Sequence, residues 1–141
     1  MSTPEAARGG SETVLLLEDE DALRDLVAEA LREVGYTVLE AANARAAVAS
    51  AQYAQPIHLL LTDVVLPGQS GPETAIQLRN ALPHLRVLLM SGYTDRLVSG
   101  RGTIAIEPNA PFLSKPFTID ALLRKVREVL DGAPPRPEQL P

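Results

Sequence analysis

The sequence predicts an α/β fold, a doubly wound, five-stranded parallel sheet with helices on both faces in a three-layer sandwich. Short apolar segments alternate with helical patterns through most of the 141 residues, the order that α/β proteins follow. These segments are continuous rather than alternating with polar residues, as expected for strands buried on both faces. A chain of 141 residues with 45% hydrophobic residues has the length and composition of one domain with a single core, and no internal repeat is visible.

The first strand is predicted at residues 13–17, an apolar run that ends in acidic residues. The helix that follows has apolar residues at helical spacing, with Asp19 or Asp21 as its N-cap and Gly35 at its end. The second strand is predicted at residues 36–40.

An alanine-rich helix is predicted next, over residues 44–54, with Asn43 as its cap. Pro56 separates this helix from the third strand, the apolar run at residues 57–62. Asp63 closes that run and opens a loop, so one carboxylate lies where a buried strand ends.

The third helix is predicted to carry Pro72 in its first turn and to stop before Pro83. The fourth strand follows at residues 86–90. A short fourth helix is predicted at residues 94–98, and residues 99–111 are predicted to be irregular because glycine and proline recur there.

The fifth strand is predicted at residues 111–114, and Thr118 is predicted to cap a final amphipathic helix. The chain then divides into a disordered N-terminal flank at residues 1–11, one folded domain at residues 12–131 and a proline-rich disordered tail at residues 132–141.

Composition limits the classes of partner. The net charge of −5 argues against a surface built for nucleic acid or anionic lipid. No apolar run reaches the roughly 18 residues of a membrane span, and no secretory leader pattern begins the chain. The absence of cysteine fits a reducing compartment. We therefore expect a cytoplasmic domain without membrane or nucleic-acid contact.

Polar side chains follow four of the predicted strands, and parallel strands bring their carboxyl ends to one edge of the sheet. These side chains are Glu18, Asp19, Asp63, Ser91 and Lys115. The three acids would repel one another without a cation, and an oxygen-only ligand set fits Mg²⁺, with Mn²⁺ as the alternative. Asp19 and Asp63 are predicted direct ligands, and Glu18 is predicted to bind directly or through water.

At these positions the chain resembles the receiver domains of bacterial two-component response regulators. The resemblance covers roughly residues 12–131 and is carried by LEDED at 17–21, LTDVVLPG at 61–68, MSGYTD at 90–95 and FLSKPF at 112–117. It is greatest to receivers attached to the C-terminus of hybrid sensor histidine kinases, and it implies a flavodoxin-like, CheY-like fold.

The resemblance implies that Asp63 is the phosphoacceptor. It would take a phosphoryl group from the phosphohistidine of a sensor histidine kinase or a histidine phosphotransfer protein. Lys115 and Ser91 would neutralise or bind the phosphoryl oxygens, and the backbone carbonyl of Val65 would complete the metal site. The protein would be a switch, and the only chemistry it would catalyse is its own phosphorylation and dephosphorylation.

The resemblance also implies a conformational switch. Ser91 would turn toward the phosphoryl group and Phe112 would turn inward into the vacated space. Val65 and Tyr93 would tune the dephosphorylation rate, and Lys115-Pro116 would be a cis peptide. The output would be contact with an unknown downstream protein, made by a monomer or a weak homodimer.

There are three alternatives to this function. An aspartyl-phosphate phosphohydrolase would carry a second aspartate two residues after its nucleophile, where this chain has Val65. An FMN carrier would have a glycine- and hydroxyl-rich phosphate loop after the first strand, where this chain has acids. A receiver that has lost its chemistry and acts as a scaffold is the third. The sequence also leaves open whether the domain stands alone or belongs to a hybrid kinase.

The remaining charged residues are interpreted structurally. Asp21 and Asp95 are predicted helix caps or dipole partners, and His58 and His84 are predicted structural residues without a metal partner. Three basic residues near the end of the last helix are predicted to interact with its dipole: Arg124, Lys125 and Arg127.

Overall fold

The computed structural model describes residues 9–52, 56–92 and 111–132. The strands are β1 (Thr13–Leu17), β2 (Thr37–Ala41), β3 (Leu59–Asp63), β4 (Arg86–Ser91) and β5 (Phe112–Ser114). The helices are α1 (Asp21–Glu33), α2 (Ala44–Gln52), α3 (Gly71–Ala81) and α4 (Ile119–Asp131). None of these described helices is long and apolar enough to cross a membrane.

The five strands form one sheet in the order β2-β1-β3-β4-β5, and every pair of neighbours is parallel. The predicted doubly wound sheet is therefore confirmed. The chain moves outward from β1 to β2 and then returns past β1 to β3, so the order reverses between β1 and β3. In open sheets of this kind, ligands bind beyond the carboxyl ends of the strands at this reversal. Glu18 and Asp63 lie at those ends.

Helices cover both faces of the sheet because side chains of successive strand residues point to opposite faces. Val14 and Leu16 of β1 pack in the core under α1 and α4, together with Leu31 and Val126. Leu15 of the same strand, with Leu17, packs in the second core under α2 and α3. All five residues of β1 are buried, and so are all five of β3, which explains their continuous apolar runs.

The end of α1 shifts the second strand by one residue from its predicted position. Gly35, with φ of 106°, donates its N–H to Arg32 and Tyr36 donates to Leu31, which is the hydrogen-bond pattern of a Schellman motif. Tyr36 therefore belongs to the helix end, and β2 begins at Thr37.

The predicted cap of α1 is wrong. The N-cap residue is Glu20, and its side chain makes no capping hydrogen bond. Asp21 lies in the first turn, where it pairs with Arg24 at 2.7 Å, so its interpretation as a dipole partner agrees with the structure. Asp19 lies instead in the acidic cluster described below.

Two predicted caps are confirmed and a third was missed. Asn43 Oδ1 accepts the N–H of Ala46 at 2.8 Å, and Thr118 Oγ1 accepts that of Ala121 at 3.0 Å. Helix α3 starts with a reciprocal capping box between Ser70 and Glu73. The spacing of those two residues is a sequence signal of a helix start.

The dipole interpretation of Arg127 is wrong, because its guanidinium binds residues that lie just before β1. It pairs with Glu12 at 2.7 Å and also donates to the carbonyl of Gly9 at 3.0 Å and to the Tyr36 hydroxyl at 3.3 Å. A further pair joins it to Asp131 at 2.9 Å. No basic residue lies in the last turn of α4.

The other two basic residues of α4 form pairs within the helix: Arg124 with Asp120, and Lys125 with Glu128. His58 has the structural role that was predicted, since its Nδ1 accepts the N–H of Thr13 at 2.9 Å. The predicted fourth helix, most of the irregular stretch that follows it, Asp95 and the end of the second predicted helix lie outside the described residues.

Candidate phosphoryl-acceptor site

The predicted site residues meet at the carboxyl edge of the sheet. Glu18 and Asp19 follow β1, Asp63 ends β3, Ser91 ends β4 and Lys115 follows β5. Each is held there by the parallel register, because β1 pairs with β3, β3 with β4 and β4 with β5. The structure therefore places all five residues at this edge, and it gathers four of their side chains into one cluster: Glu18, Asp19, Asp63 and Lys115.

Lys115 joins the two buried acids. Its Nζ lies 3.0 Å from Asp63 Oδ1 and 3.2 Å from Glu18 Oε1. The side chains of Asp63 and Glu18 are only 8% and 1% exposed, so little solvent screens these pairs. Burial lowers the pKa of Lys115, but the hydrogen bond and charge of Asp63, reinforced by Glu18, outweigh it and raise the pKa above its ordinary value. Lys115 is therefore a fixed cation at neutral pH.

Three acids converge beside this ammonium. Glu18, Asp19 and Asp63 each place a carboxylate oxygen within 4.8 Å of the others. Burial raises the pKa of Glu18, opposed mainly by the N–H of Glu20 and the charge of Lys115. An all-oxygen cluster with two buried members and one exposed member fits a hard divalent cation that keeps some of its water, as Mg²⁺ does.

Three hydrogen bonds fix the position of Glu18. Its N–H donates to the Ala41 carbonyl at 3.1 Å and its Oε2 accepts the N–H of Glu20 at 3.0 Å. Its own carbonyl accepts from Arg24 Nη1 at 2.8 Å. Arg24 was not among the residues that the sequence assigned to the site, because an arginine on an amphipathic helix carries no local signal of such a contact.

The loop after Asp63 is held against the sheet and against α3. Val64 donates its N–H to the Met90 carbonyl at 3.0 Å and accepts the N–H of Gly71 at 3.0 Å. A Cβ on Gly71 would lie 2.0 Å from the Asp63 carbonyl oxygen, so only glycine permits this approach. Val65, whose carbonyl is the predicted metal ligand, is 37% exposed at the edge of the site.

The predicted switch residues lie on neighbouring strands: Ser91 ends β4, and Phe112 begins β5 opposite Leu89. Ser91 is 2% exposed, and its Oγ donates to the Gly92 carbonyl at 3.2 Å. Phe112 is half-buried and packs against the core under α2 and α3. Lys115 is anchored through its N–H to the Ser91 carbonyl at 2.9 Å, and the Lys115-Pro116 peptide is cis, as expected. Tyr93 lies outside the described residues.

The fold and this edge define a phosphoacceptor receiver domain. The family described as the response regulator receiver domain matches residues 14–127, and the chain therefore belongs to that family. Members of the family act as phosphoacceptor switches in two-component systems rather than as classical enzymes, and they bind Mg²⁺ at an acidic pocket.

The relatives include a sensor kinase, a response regulator receiver protein and a probable transcriptional regulator. The chain is 35% identical over 123 residues to the sensor kinase CckA of Brucella abortus (strain 2308), a match that covers 86% of this chain and 13% of the kinase. It is 30% identical over 126 residues to the response regulator receiver protein CpdR of the same organism, covering 85% of this chain and 98% of CpdR. The chain spans 52% of the probable transcriptional regulatory protein TcrX of Mycobacterium tuberculosis, another relative.

Solved structures give the same fold. The receiver domain of the hybrid histidine kinase CckA superposes with a TM-score of 0.70 at 34% identity, covering 84% of this chain and 99% of that one. The chemotaxis protein CheY4 of Vibrio cholerae gives a TM-score of 0.69 at 26% identity, covering 85% and 99%. The predicted similarity to a receiver of a hybrid kinase is thus confirmed.

Proposed function

We propose that Asp63 is the phosphoacceptor of this receiver domain, and that it takes its phosphoryl group from a phosphohistidine. The observation that carries the proposal is the position of Asp63, a buried carboxylate at a strand end, 3.0 Å from the Lys115 ammonium and within a cluster of three acids. A sensor histidine kinase or a histidine phosphotransfer protein is the proposed donor.

The reaction is an in-line displacement at phosphorus. An Asp63 carboxylate oxygen attacks the phosphorus, the bond from phosphorus to the donor imidazole nitrogen breaks, and that nitrogen keeps the electron pair. The product is an acyl phosphate. Water later attacks its phosphorus, the bond from phosphorus to the Asp63 oxygen breaks, and inorganic phosphate and the free carboxylate are released. A carboxylate has no proton to lose, so its attack needs no general base, and the Lys115 ammonium lies 3.0 Å from Asp63 Oδ1.

The surrounding side chains hold the transferring group. Lys115 shifts from pairing two carboxylates to pairing a phosphoryl oxygen, and Ser91 turns from the Gly92 carbonyl to donate to another. Glu18, Asp19, Asp63 and the Val65 carbonyl are the proposed ligands of Mg²⁺, with Mn²⁺ as the alternative. When bound, the cation supplies charge neutralisation at the phosphoryl oxygens.

The switch begins with Ser91. Its hydroxyl moves toward the phosphoryl group, and Phe112, half-buried on the next strand, turns into the space beside it. Phe112 has no hydroxyl to hydrogen-bond, so the change is transmitted by packing alone. Val65, exposed at the rim, and Tyr93 set how easily water reaches the acyl phosphate.

We assign the receiver domain to residues 12–131, with a flank at 1–11 and a tail at 132–141. Its proposed output is contact with a downstream protein, made by a monomer or weak homodimer without nucleic acid or membrane contact. We place the exchange in the cytoplasm, where kinases obtain ATP. Val65, an apolar side chain where a phosphohydrolase would need its acid/base, argues against turnover of external substrates.

Intact mass after incubation with acetyl phosphate and Mg²⁺ tests the assignment. We expect one phosphoryl adduct that disappears in Asp63→Asn and after chelation of the metal. Asp25→Asn, which removes an exposed carboxylate from α1, is the matched control and should keep the adduct. An adduct that persists in Asp63→Asn would overturn the assignment.

A further inference from the structure

Arg24 links Glu18, in the acidic cluster, to Glu40 near the carboxyl end of β2. Its Nη1 donates to the Glu18 carbonyl at 2.8 Å and its Nη2 pairs with Asp21 at 2.7 Å. Its Nε lies 3.6 Å from Glu40 Oε1. The Arg24 side chain is 16% exposed, so water competes weakly at its bond to the Glu18 carbonyl, whereas the Asp21 partner is 82% exposed at the surface. The guanidinium therefore spans the turn that carries Glu18 and Asp19.

Arg32 makes a parallel set of contacts two turns further along α1. It pairs with the same Glu40 at 3.0 Å and donates to a backbone carbonyl, that of Val38, at 2.8 Å. The two arginines lie on the same helix and pair with the same acid, and each donates to one backbone carbonyl. They differ in where the backbone acceptor lies, because only Arg24 reaches the turn of the acidic cluster.

We propose that Arg24 is a positioning residue for the divalent cation of this domain. By holding the Glu18 carbonyl, it fixes the backbone from which the Glu18 and Asp19 carboxylates reach toward Asp63. The cluster is then set before a cation arrives, which reduces the ordering that binding requires. This role rests on the proposed metal site, but the ordering of the Glu18 and Asp19 backbone by Arg24 is a property of the metal-free protein.

The direction in which the affinity for the cation changes on removal of Arg24 distinguishes a positioning role from an effect of its charge. Arg24 is itself a cation near the site, so removing it makes the surroundings more negative and, by Coulomb's law alone, tightens binding of a divalent cation. Loss of a backbone anchor acts in the opposite direction, since the two carboxylates must then be ordered on binding. Weaker binding in Arg24→Gln at unchanged fold stability therefore has the sign expected for loss of the anchor and opposite to that expected for loss of the charge.

The test compares Arg24→Gln with Arg32→Gln. We expect Arg24→Gln to weaken Mg²⁺ binding roughly tenfold or more by calorimetric titration, the size seen when residues that orient metal ligands are changed. Arg32→Gln removes the same charge from the same helix and should bind Mg²⁺ as the unaltered protein does or slightly more tightly. Equal or tighter binding in Arg24→Gln would overturn the proposal.

A second readout uses the metal-free protein. The Glu20 amide donates to Glu18 Oε2, so its hydrogen exchange, followed by NMR, reports whether the turn is held. We expect several-fold faster exchange at residues 18–20 in Arg24→Gln and no change there in Arg32→Gln. Unchanged exchange in both would overturn the proposal. If the unaltered protein bound no Mg²⁺ at all, the metal site would fail while this exchange experiment would still decide the role of Arg24.

Discussion

Replacement of Glu12 by glutamine should destabilise the domain at neutral pH and flatten its acid sensitivity. Glu12 precedes β1 and accepts two hydrogen bonds from the Arg127 guanidinium, at 2.7 and 3.1 Å. These bonds join the residue that precedes β1 to α4, across 115 residues of sequence. Glutamine keeps the shape of the side chain but carries no charge, so the substitution isolates the ion pair.

The magnitude follows from the pKa of Glu12. The hydrogen bonds from Arg127 lower it from 4.5 to about 2, against the opposing effect of burial. At about 1.4 kcal/mol for each pKa unit, this shift sets an upper limit of about 3.5 kcal/mol. The Glu12 side chain is 27% exposed, and partial solvent screening reduces the expected loss to about 1–2 kcal/mol.

The pH range follows from the direction of the shift. A carboxylate whose pKa is lower in the folded state stabilises the fold above its unfolded pKa of 4.5, and this contribution is lost as the pH falls toward 2. Urea unfolding of the unaltered protein and of Glu12→Gln should therefore differ most above pH 5 and converge toward pH 2. Glu128→Gln, which breaks an exposed pair within α4, is the control and should cost at most a few tenths of a kcal/mol. Equal stability of Glu12→Gln and the unaltered protein at pH 7 would refute the reasoning.

Three further variants test the packing around the site and one helix cap. Gly71→Ala places a Cβ 2.0 Å from the Asp63 carbonyl and should cost about 3 kcal/mol in urea unfolding, and a loss below about 1 kcal/mol would contradict the close approach. Thr118→Ala removes the cap of α4 and should cost about 1 kcal/mol, whereas Thr118→Ser should cost far less. Lys115→Met leaves the buried carboxylates of Glu18 and Asp63 without their cation. It should lower the Tm of the metal-free protein and enlarge the rise in Tm on adding Mg²⁺, and an unchanged rise would contradict this account.

The site was predictable because its signals are local and its geometry follows from strand order. Asp63 and Lys115 each directly end or follow a strand, and parallel pairing brings strand ends to one edge whatever the loops between them do. The apolar runs were long enough to place every described strand to within two residues. Residues at the ends of neighbouring buried strands could therefore be placed together without knowing a single side-chain contact.

Contacts between distant parts of the chain were not predictable in this way. The pair of Arg127 with Asp131, one turn away on the same helix, can be predicted from the spacing of the two residues. Glu12 lies 115 residues earlier, and only the fold brings it to Arg127. Arg24 is similar, since its bond to the Glu18 carbonyl depends on how α1 leaves the sheet. The prediction of the α1 cap failed for a related reason, because Asp19 lies in the acidic cluster and does not cap the helix.

Chemical trapping of the phosphorylated residue tests the central assignment most directly. Borohydride reduces an acyl phosphate of aspartate to homoserine, which peptide mass mapping locates in the chain. After incubation with acetyl phosphate and Mg²⁺, we predict homoserine at position 63 and at no other acidic residue, with none formed when the metal is chelated. Homoserine at Asp19, or hydroxynorvaline from a glutamyl phosphate at Glu20, would contradict the assignment of Asp63 as the phosphoacceptor. Homoserine at position 63 that forms without a divalent cation would contradict the proposed need for the metal.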